Sequence, residues 1–250
     1  MFEFKKKYYI PNTFNEFELS RSKIDLFLEC PRCFYLDRRF GISRPSSFPL
    51  TLNNAVDTLL KREFDDVRNN KEPHPLMKKY NIDAIPIDHK YLDNWRKNFE
   101  GIRFKHTKTN LIIFGAIDDL WQNKQGEYIV VDYKATSKNK NIIELDEDWQ
   151  IVYKRQIEIY QWLIMNNGLK ISNIGYILYC NANTNNVEKF NNKLEFEMTL
   201  VPHEGNIEWI DKTINDIYEC LNKNTIPKGN ENCKYCTYVK KYKEFIEKNI

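Results

Sequence analysis

Residues 111–134 read LIIFGAIDDLWQNKQGEYIVVDYK, and this stretch decides the fold class of the 250-residue chain. Residues 111–121 and 127–134 are rich in β-branched and aromatic side chains, which are typical of strands. The sequence Asn123-Lys124-Gln125-Gly126 between them is a turn signal that ends in glycine. The stretch therefore predicts two strands joined as a β-hairpin.

Three charged side chains are expected to converge on this hairpin. Because successive strand residues point to opposite faces, Asp132 and Lys134 share one face, and strand pairing brings Asp118 close to them. Two neighbouring carboxylates are costly unless a cation lies between them. A divalent ion such as Mg²⁺ would bind both, together with the carbonyl of Tyr133, and Lys134 would orient or deprotonate an attacking water.

The alternative interpretation is that these are ordinary exposed hairpin charges. The apolar residues 129–131 directly before Asp132 favour the functional interpretation, because they indicate a buried strand in which an unpaired charge is disfavoured.

Periodicity predicts helices and further strands on both sides of the hairpin. Predicted helices cover 19–40 with a break at Pro31, 54–68, 147–166, 206–223 and the C-terminal segment, and predicted strands cover 174–181 and 193–201. Together these elements predict an α/β fold with a central mixed sheet flanked by helices.

The composition is that of a globular protein, with 42% hydrophobic and 29% charged residues. No apolar run approaches the roughly 18 residues that cross a bilayer, and residues 1–10 lack a signal-peptide pattern. We therefore expect a cytoplasmic protein with no membrane partner. The net charge of +3 permits a polyanionic partner without requiring one. The four histidines match no ligand spacing and are expected on the surface.

Four of the six cysteines form two C-x-x-C pairs at opposite ends of the sequence. In a reducing compartment this spacing is typical of metal or cluster ligands, or of redox pairs, although a redox motif normally occurs once. Cys180 and Cys220 lie in a predicted strand and a predicted helix, and we expect them to be small buried hydrophobic residues. The paired cysteines are Cys30, Cys33, Cys233 and Cys236.

Several segments occur in a characteristic order: LSRSKIDLFLECPRCFY, NNAVDTLLKREF, GAIDDLW, VVDYKAT, RQIEIYQWLI and finally CKYC. This order resembles the PD-(D/E)XK nuclease superfamily, in its RecB-like branch that includes CRISPR-associated exonucleases. The resemblance extends over nearly the whole chain. It implies one restriction-endonuclease-like domain over residues 1–250 that hydrolyses phosphodiester bonds in DNA with Mg²⁺ or Mn²⁺.

The resemblance assigns roles to individual residues. It implies that Asp118 and Asp132 are the two metal ligands and that Lys134 is the catalytic lysine. Gln156 and Tyr160 match the family's Gln-x-x-x-Tyr motif, which is thought to position the nucleic acid or the lysine, and they lie one helical turn apart.

One element departs from the family pattern. Relatives usually carry Gly-x-x-x-His on the helix before the hairpin, whereas this chain has Asn53 and Asp57 at those positions. Asp57 is either a helix-edge carboxylate without a ligand role or a third oxygen ligand. In the second case the all-oxygen site would suit hard cations such as Mg²⁺.

The resemblance also implies that the paired cysteines hold a cofactor. Iron–sulfur relatives contribute one upstream and three downstream cysteines; the third downstream cysteine is absent here, and Tyr242 lies about where it would fall. We interpret Cys33 as the replacement ligand. Four thiolates suit a [4Fe–4S] cluster or, alternatively, Zn²⁺. Either would join the N-terminal segment 19–40 to the C-terminal segment 227–250.

The function expected from the resemblance is a RecB-like exonuclease that acts on single-stranded DNA or DNA ends. Its partners would be DNA and a helicase, CRISPR or recombination protein, in a pathway such as DNA repair. The alternative from another class is a catalytically inactive DNA-binding or scaffold module that retains the fold and the cysteine site, and the altered Asn53–Asp57 motif favours it.

Overall fold

The computed structural model describes residues 8–46, 48–185 and 188–249. The elements of these residues follow in chain order: β1 (Phe17–Ser20), α1 (Arg21–Glu29), α2 (Pro31–Phe40), α3 (Thr51–Asn70), α4 (Pro75–Lys79), β2 (Ala84–Pro86), α5 (Leu92–Trp95), β3 (Ile102–His106), β4 (Leu111–Gly115), β5 (Asp119–Asn123), β6 (Tyr128–Thr136), a 3₁₀ turn (Asp148–Gln150), α6 (Ile151–Asn166), β7 (Ile174–Ala182), β8 (Phe196–Glu204), α7 (Glu208–Asn222) and α8 (Lys234–Asn249). No helix among these residues has both the length and the apolar character needed to cross a membrane.

The chain forms two compact units. The first comprises the residues up to Phe48, Lys105–Ile113 and the residues from Glu208 onward. The second comprises Pro49–Phe104 and Phe114–Ile207. The paired cysteines lie in the first unit, and the predicted metal and catalytic residues of the hairpin and its flanking helices lie in the second.

A five-stranded mixed sheet of order β2-β5-β6-β7-β8 forms the centre of the second unit. β6 and β7 are parallel and are connected by α6, because parallel neighbours need a crossover connection. The other neighbours are antiparallel. α3 and α6 pack against the sheet. The predicted α/β fold with a mixed sheet flanked by helices is confirmed.

The predicted hairpin is also confirmed, as β5 and β6. Asp119 pairs with Val131 across the two strands. In the turn, the side-chain oxygen of Asn123 accepts hydrogen bonds from the N–H groups of Gln125 and Glu127. Gly126 has a φ of 75°, which glycine adopts without steric cost.

The prediction of one strand over 111–121 is wrong, because this run forms two strands. β4 belongs to a three-stranded sheet of order β1-β4-β3, whereas β5 belongs to the five-stranded sheet. Between them, the backbone is held by α5 instead of by a strand. The N–H of Ile117 donates to the Trp95 carbonyl at 3.1 Å, and Arg96 Nε donates to the Asp118 carbonyl at 3.0 Å.

Other differences concern weakly patterned segments. β2 and β3 lie in segments without regular periodicity, and β8 begins three residues later than predicted, at Phe196. The surface placement of the histidines is wrong for His74 and His106, which are buried. His74 caps α4 and stacks on Phe64, with 4.3 Å between ring centroids.

The core of the second unit fixes the orientation of α3. Phe64 is fully buried and stacks on Trp121 of β5, with ring centroids 5.6 Å apart. Burying one such aromatic side chain contributes about 1.5–3 kcal/mol. With Leu60 and Phe64 facing the sheet, Asp57 and Lys61 are left partly exposed beside the strand ends.

The break predicted at Pro31 in the first unit is confirmed. Cys30 ends α1, and Pro31 is the first residue of α2, where its missing N–H loses no helical hydrogen bond. Cys30 and Cys33 therefore lie at the junction of two helices.

Candidate functional site

Asp118 is held at the end of the loop that precedes β5. Its Oδ2 atom accepts a hydrogen bond from the backbone N–H of Tyr133 on β6 at 2.8 Å. This bond holds the Asp118 carboxylate against β6, the strand that contains Asp132 and Lys134. The predicted proximity of Asp118 to these residues is therefore present.

Asp132 and Lys134 share one face of β6 and form an ion pair. Asp132 is almost completely buried, and its Oδ1 atom accepts a 2.5 Å hydrogen bond from Gln156 Nε2 on α6. Gln156 Nε2 also lies 3.1 Å from the Tyr160 hydroxyl oxygen, one helical turn further on. The Gln156 amide, held by Tyr160, thus contacts β6 at Asp132. This contact from α6 fixes the orientation of the Asp132 carboxylate.

Lys134 is held as a cation. Burial lowers its pKa, but the charges of Asp132 and Asp118 raise it more, so that the pKa lies above its ordinary value. Its Nζ also lies 3.5 Å from the carbonyl oxygen of Tyr133. In this arrangement Lys134 is a hydrogen-bond donor and a positive charge, and it would act as a base only after the carboxylate charges were neutralised.

Lys61, which was not identified from the sequence, contacts both Asp57 and Asp118. Lys61 Nζ is 2.8 Å from Asp57 Oδ2 and 3.4 Å from Asp118 Oδ1. Burial and the charge of Asp118 raise the pKa of Asp57. The spacing of Asp57 and Lys61 by four residues on a helix was the signal that could have identified this pair.

Asp119, the sequence neighbour of Asp118, belongs to a buried network. It is fully buried and forms ion pairs with Arg68 and Arg96. Its Oδ2 atom accepts hydrogen bonds from Trp121 Nε1 at 3.0 Å and from the Tyr133 hydroxyl at 2.9 Å. Tyr133 is therefore held by Asp118 at its backbone and by Asp119 at its ring.

The donor atoms of this site fit a hard divalent cation in their chemistry. Asp118, Asp132 and Asp57 offer carboxylate oxygens and Tyr133 offers a carbonyl, which are the ligands that Mg²⁺ and Mn²⁺ accept. Burial and, second, the charge of Asp118 raise the pKa of Asp57, and a cation would relieve the repulsion between the two carboxylates. The ligand atoms of the three aspartates do not form a close group in this structure, in which Lys61 and Lys134 neutralise them.

The paired cysteines do form a close group. The Sγ atoms of Cys30 and Cys236 are 3.6 Å apart, those of Cys33 and Cys233 are 3.6 Å apart, and those of Cys33 and Cys236 are 3.7 Å apart. All four lie within 4.8 Å of one another, and together they could hold a metal ion. Among the described residues, no other cluster of histidine, cysteine or acidic side chains is as compact.

The surroundings of Cys30 favour a thiolate, whereas burial raises the pKa values of Cys33 and Cys236. Arg44 Nη2 lies 3.3 Å from Cys233 Sγ, and the N–H of Asn230 lies 3.5 Å from Cys30 Sγ. Burial raises the pKa of Cys30, but hydrogen bonds from the backbone of Cys33 and Asn230 outweigh it and lower the pKa to about 7.

Room for the sulfurs depends on one glycine. A Cβ atom at Gly229 would lie only 2.9 Å from Cys236 Sγ, so glycine permits this close approach of the backbone.

Cys180 and Cys220 lie outside this group. Both are buried, and burial raises the pKa of both thiols, that of Cys180 to about 12. Their surroundings are those of small hydrophobic residues, as expected from the sequence.

Comparison with known proteins gives a family and a distant structural likeness. No curated protein matches the chain significantly. A solved structure described as "Crystal structure of SSO0001" is 16% identical, and the match covers 91% of this chain and 86% of that chain with a TM-score of 0.42. The family model of the PD-(D/E)XK nuclease superfamily matches residues 52–240, which span the hairpin, α3 and α6. With most of its length matched by this one family, the chain belongs to the PD-(D/E)XK nuclease superfamily.

Proposed function

We propose that the protein is a divalent-metal-dependent DNA nuclease, specifically a RecB-like exonuclease that acts on single-stranded DNA or DNA ends. The observation that carries the proposal is the ion pair of Asp132 with Lys134, in which Gln156 fixes the Asp132 carboxylate and Asp118 binds the backbone of Tyr133 between the two residues. The superfamily supports metal-dependent nuclease activity. The exonuclease mode and the preference for single strands rest on the order of the RecB-like sequence segments.

Asp118, Asp132, Asp57 and the carbonyl of Tyr133 would hold the active-site Mg²⁺ or Mn²⁺. When bound, such an ion lowers the pKa of water and stabilises charge on a phosphate. Lys134 contributes a partly buried ammonium group that donates hydrogen bonds to the phosphate or to the attacking water. Gln156 keeps the Asp132 carboxylate oriented, and its contact with Tyr160 keeps the amide itself in place.

The cysteine site supports zinc over the [4Fe–4S] cluster as its occupant. A tetrahedral ion with metal–sulfur bonds of about 2.3 Å separates its sulfur ligands by about 3.8 Å. Three of the six sulfur–sulfur separations, at 3.6 and 3.7 Å, are close to this value, and all six are within 4.8 Å. A [4Fe–4S] cluster places four irons between its ligands and needs a wider set of sulfurs. We therefore assign a single Zn²⁺ to this site, with a structural role that links segments 19–40 and 227–250 of one nuclease domain.

The biological setting follows from the same resemblance. A helicase, CRISPR or recombination protein would supply DNA ends, in a process such as DNA repair. A cytoplasmic location suits four thiolate ligands, because they require a reducing compartment.

Cleavage of end-labelled DNA tests the proposal. With Mg²⁺ or Mn²⁺, we expect degradation of linear single strands and no degradation of circular single strands, because an exonuclease needs an end. Asp132→Asn and Lys134→Ala should each lower the rate by at least about 100-fold. Lys97→Ala serves as the control, because Lys97 is an exposed lysine that pairs only with nearby residues of its own segment. Full activity in either site variant would refute the assignment.

A second function is favoured by one contact. Lys61 places an ammonium group between Asp57 and Asp118, so a protein cation takes up charge that a metal would neutralise. A DNA-binding or scaffold module without catalysis needs no metal ion, so this lysine is compatible with such a function. Binding of DNA without cleavage under any of the metal conditions above would identify this second function.

A further inference from the structure

A pocket of about 290 Å³ opens next to Lys134 in the second unit. One wall is the end of β6, including Ala135 and Thr136, and the opposite wall consists of aromatic rings. Its size suits one nucleotide. The pocket is continuous with the candidate active site, because Lys134 belongs to both.

The aromatic wall leads outward from Lys134. Lys134 Nζ lies 5.0 Å from the ring centroid of Tyr153, and the Tyr153 ring meets Trp149 edge to face at 5.6 Å. Tyr179 supports Tyr153 from behind and is almost completely buried. Trp149, by contrast, is 45% exposed.

The half-exposed ring of Trp149 is in contact with the ammonium group of Lys138. Lys138 Nζ lies 5.4 Å from the Trp149 ring centroid, and Lys138 is exposed. A cation above a half-exposed indole is a weak contact that a stronger ligand displaces. Lys134 and Lys138 are the two lysines among the residues that line the pocket.

We propose that this pocket holds one unpaired nucleotide of the substrate strand, whose base stacks on Trp149 while Lys138 moves to the adjoining phosphate. The proposal rests on the proposed nuclease function for the identity of the strand. Stacking on an aromatic ring is available to every base but only when the base is unpaired. The pocket therefore selects single strands without reading their sequence.

The charges beyond Trp149 limit the extent of this contact. The adjoining pocket, which shares Lys138 and Trp149, is lined by three carboxylates and one further lysine: Glu144, Asp146, Glu147 and Lys140. These carboxylates repel phosphates, so the strand leaves on the lysine side after a single stacked base.

Equilibrium binding tests the proposal without requiring catalysis. The parent protein carries Asp132→Asn, and fluorescein-labelled single-stranded and duplex oligonucleotides are titrated by anisotropy. Trp149→Ala should weaken single-strand binding about tenfold and leave duplex binding unchanged, whereas Trp149→Phe should retain most of the affinity. An abasic site moved along the oligonucleotide should weaken binding by the parent at one position and cause no further loss in Trp149→Ala.

Tyr91→Ala is the matched control. Tyr91 is also half-exposed and also carries a lysine above its ring, Lys90 at 4.8 Å, but it does not line the pocket. Unchanged affinity in Trp149→Ala, or an abasic effect that persists fully in this variant, would overturn the stacking proposal.

Cleavage by the unmodified protein separates the two proposals. Trp149-dependent binding without cleavage would refute the nuclease and leave the stacking site. Cleavage of single strands with normal binding by Trp149→Ala would refute the stacking site and leave the nuclease.

Discussion

Asp118 and Asp119 are neighbours in sequence but serve different parts of the second unit. Consecutive residues of an extended chain face opposite sides, so only one of the two can face the candidate site. Asp118 reaches the backbone of Tyr133, and Asp119 is buried among arginines. Its partners satisfy this buried carboxylate, and removing it would leave Asp65 as the remaining carboxylate partner of Arg68 and Arg96.

Lys61 controls access to the Asp57 and Asp118 carboxylates. We expect Lys61→Met to bind Mn²⁺ roughly tenfold more tightly, because a divalent ion no longer displaces an ammonium group that contacts both carboxylates. Titration of the protein with Mn²⁺, followed by electron paramagnetic resonance, measures the dissociation constant.

The control for this variant is Lys97→Met, which removes an exposed lysine paired with Glu100. Its affinity for Mn²⁺ should equal that of the unmodified protein. The same affinity in Lys61→Met would show that Lys61 does not compete with the metal.

At the scale of elements, the loop that carries Asp118 depends on a close backbone contact. A Cβ at Gly101, whose φ is 57°, would lie 2.4 Å from the carbonyl oxygen of Gly115 at the end of β4. Gly126 also has positive φ, but a Cβ there would meet nothing within 4 Å. A substitution at Gly126 would therefore cause backbone strain alone, whereas a substitution at Gly101 would cause both strain and a steric clash.

We expect Gly126→Ala to lower the free energy of unfolding by about 1–2 kcal/mol through strain alone. Gly101→Ala should lower it by about 1–3 kcal/mol more, because the backbone of Gly115 must move. Urea unfolding measures both. Gly101→Ala should also slow DNA cleavage by displacing Asp118, and equal stability of the two variants would contradict the close contact.

The elements differ in how far their sequence predicts them. The hairpin was predictable because the Asn123–Gly126 turn and the apolar runs act locally. The break between β4 and β5 was not, because the apolar residues Ile113 and Ile117 continue the pattern and only the two sheets decide where each strand pairs. β2 and β3 were missed since long-range pairing, not periodicity, forms them.

The candidate site shows the same division. Asp118, Asp132 and Lys134 could be placed together from strand alternation and hairpin pairing. Lys61 was missed because its bond to Asp118 depends on how α3 packs on the sheet, through Leu60 and Phe64. The pairing of Gln156 with Asp132 likewise needs the position of α6, which the helix sequence alone does not contain.

At the scale of the whole molecule, the cysteine site closes a long segment of chain, since Cys33 and Cys233 are 200 residues apart. We expect Cys33→Ser to lose its metal and about 4 kcal/mol of stability, by analogy with other cross-links of long loops. For a chain of this size, the melting temperature should fall by roughly 8–16 °C. Metal analysis and thermal unfolding measure both effects.

Cys220→Ser is the matched control, because Cys220 is a buried cysteine of the same unit that lies outside the site. It should keep its full metal content. The unmodified protein should contain one zinc per chain and be colourless. A brown protein with four irons would instead establish the iron–sulfur cluster, and full metal content in Cys33→Ser would place the fourth ligand elsewhere.

Because the two cysteine pairs are far apart in the sequence, they are synthesised at different times. Ribosomes add roughly 5–20 residues per second, so Cys33 is synthesised roughly 10–40 s before Cys233. The whole second unit, which lies between Pro49 and Ile207, is translated within that interval. The four-sulfur arrangement can thus assemble only after the second unit has been translated, and a chain whose synthesis stops before Cys233 retains Cys30 and Cys33 without their two partner sulfurs.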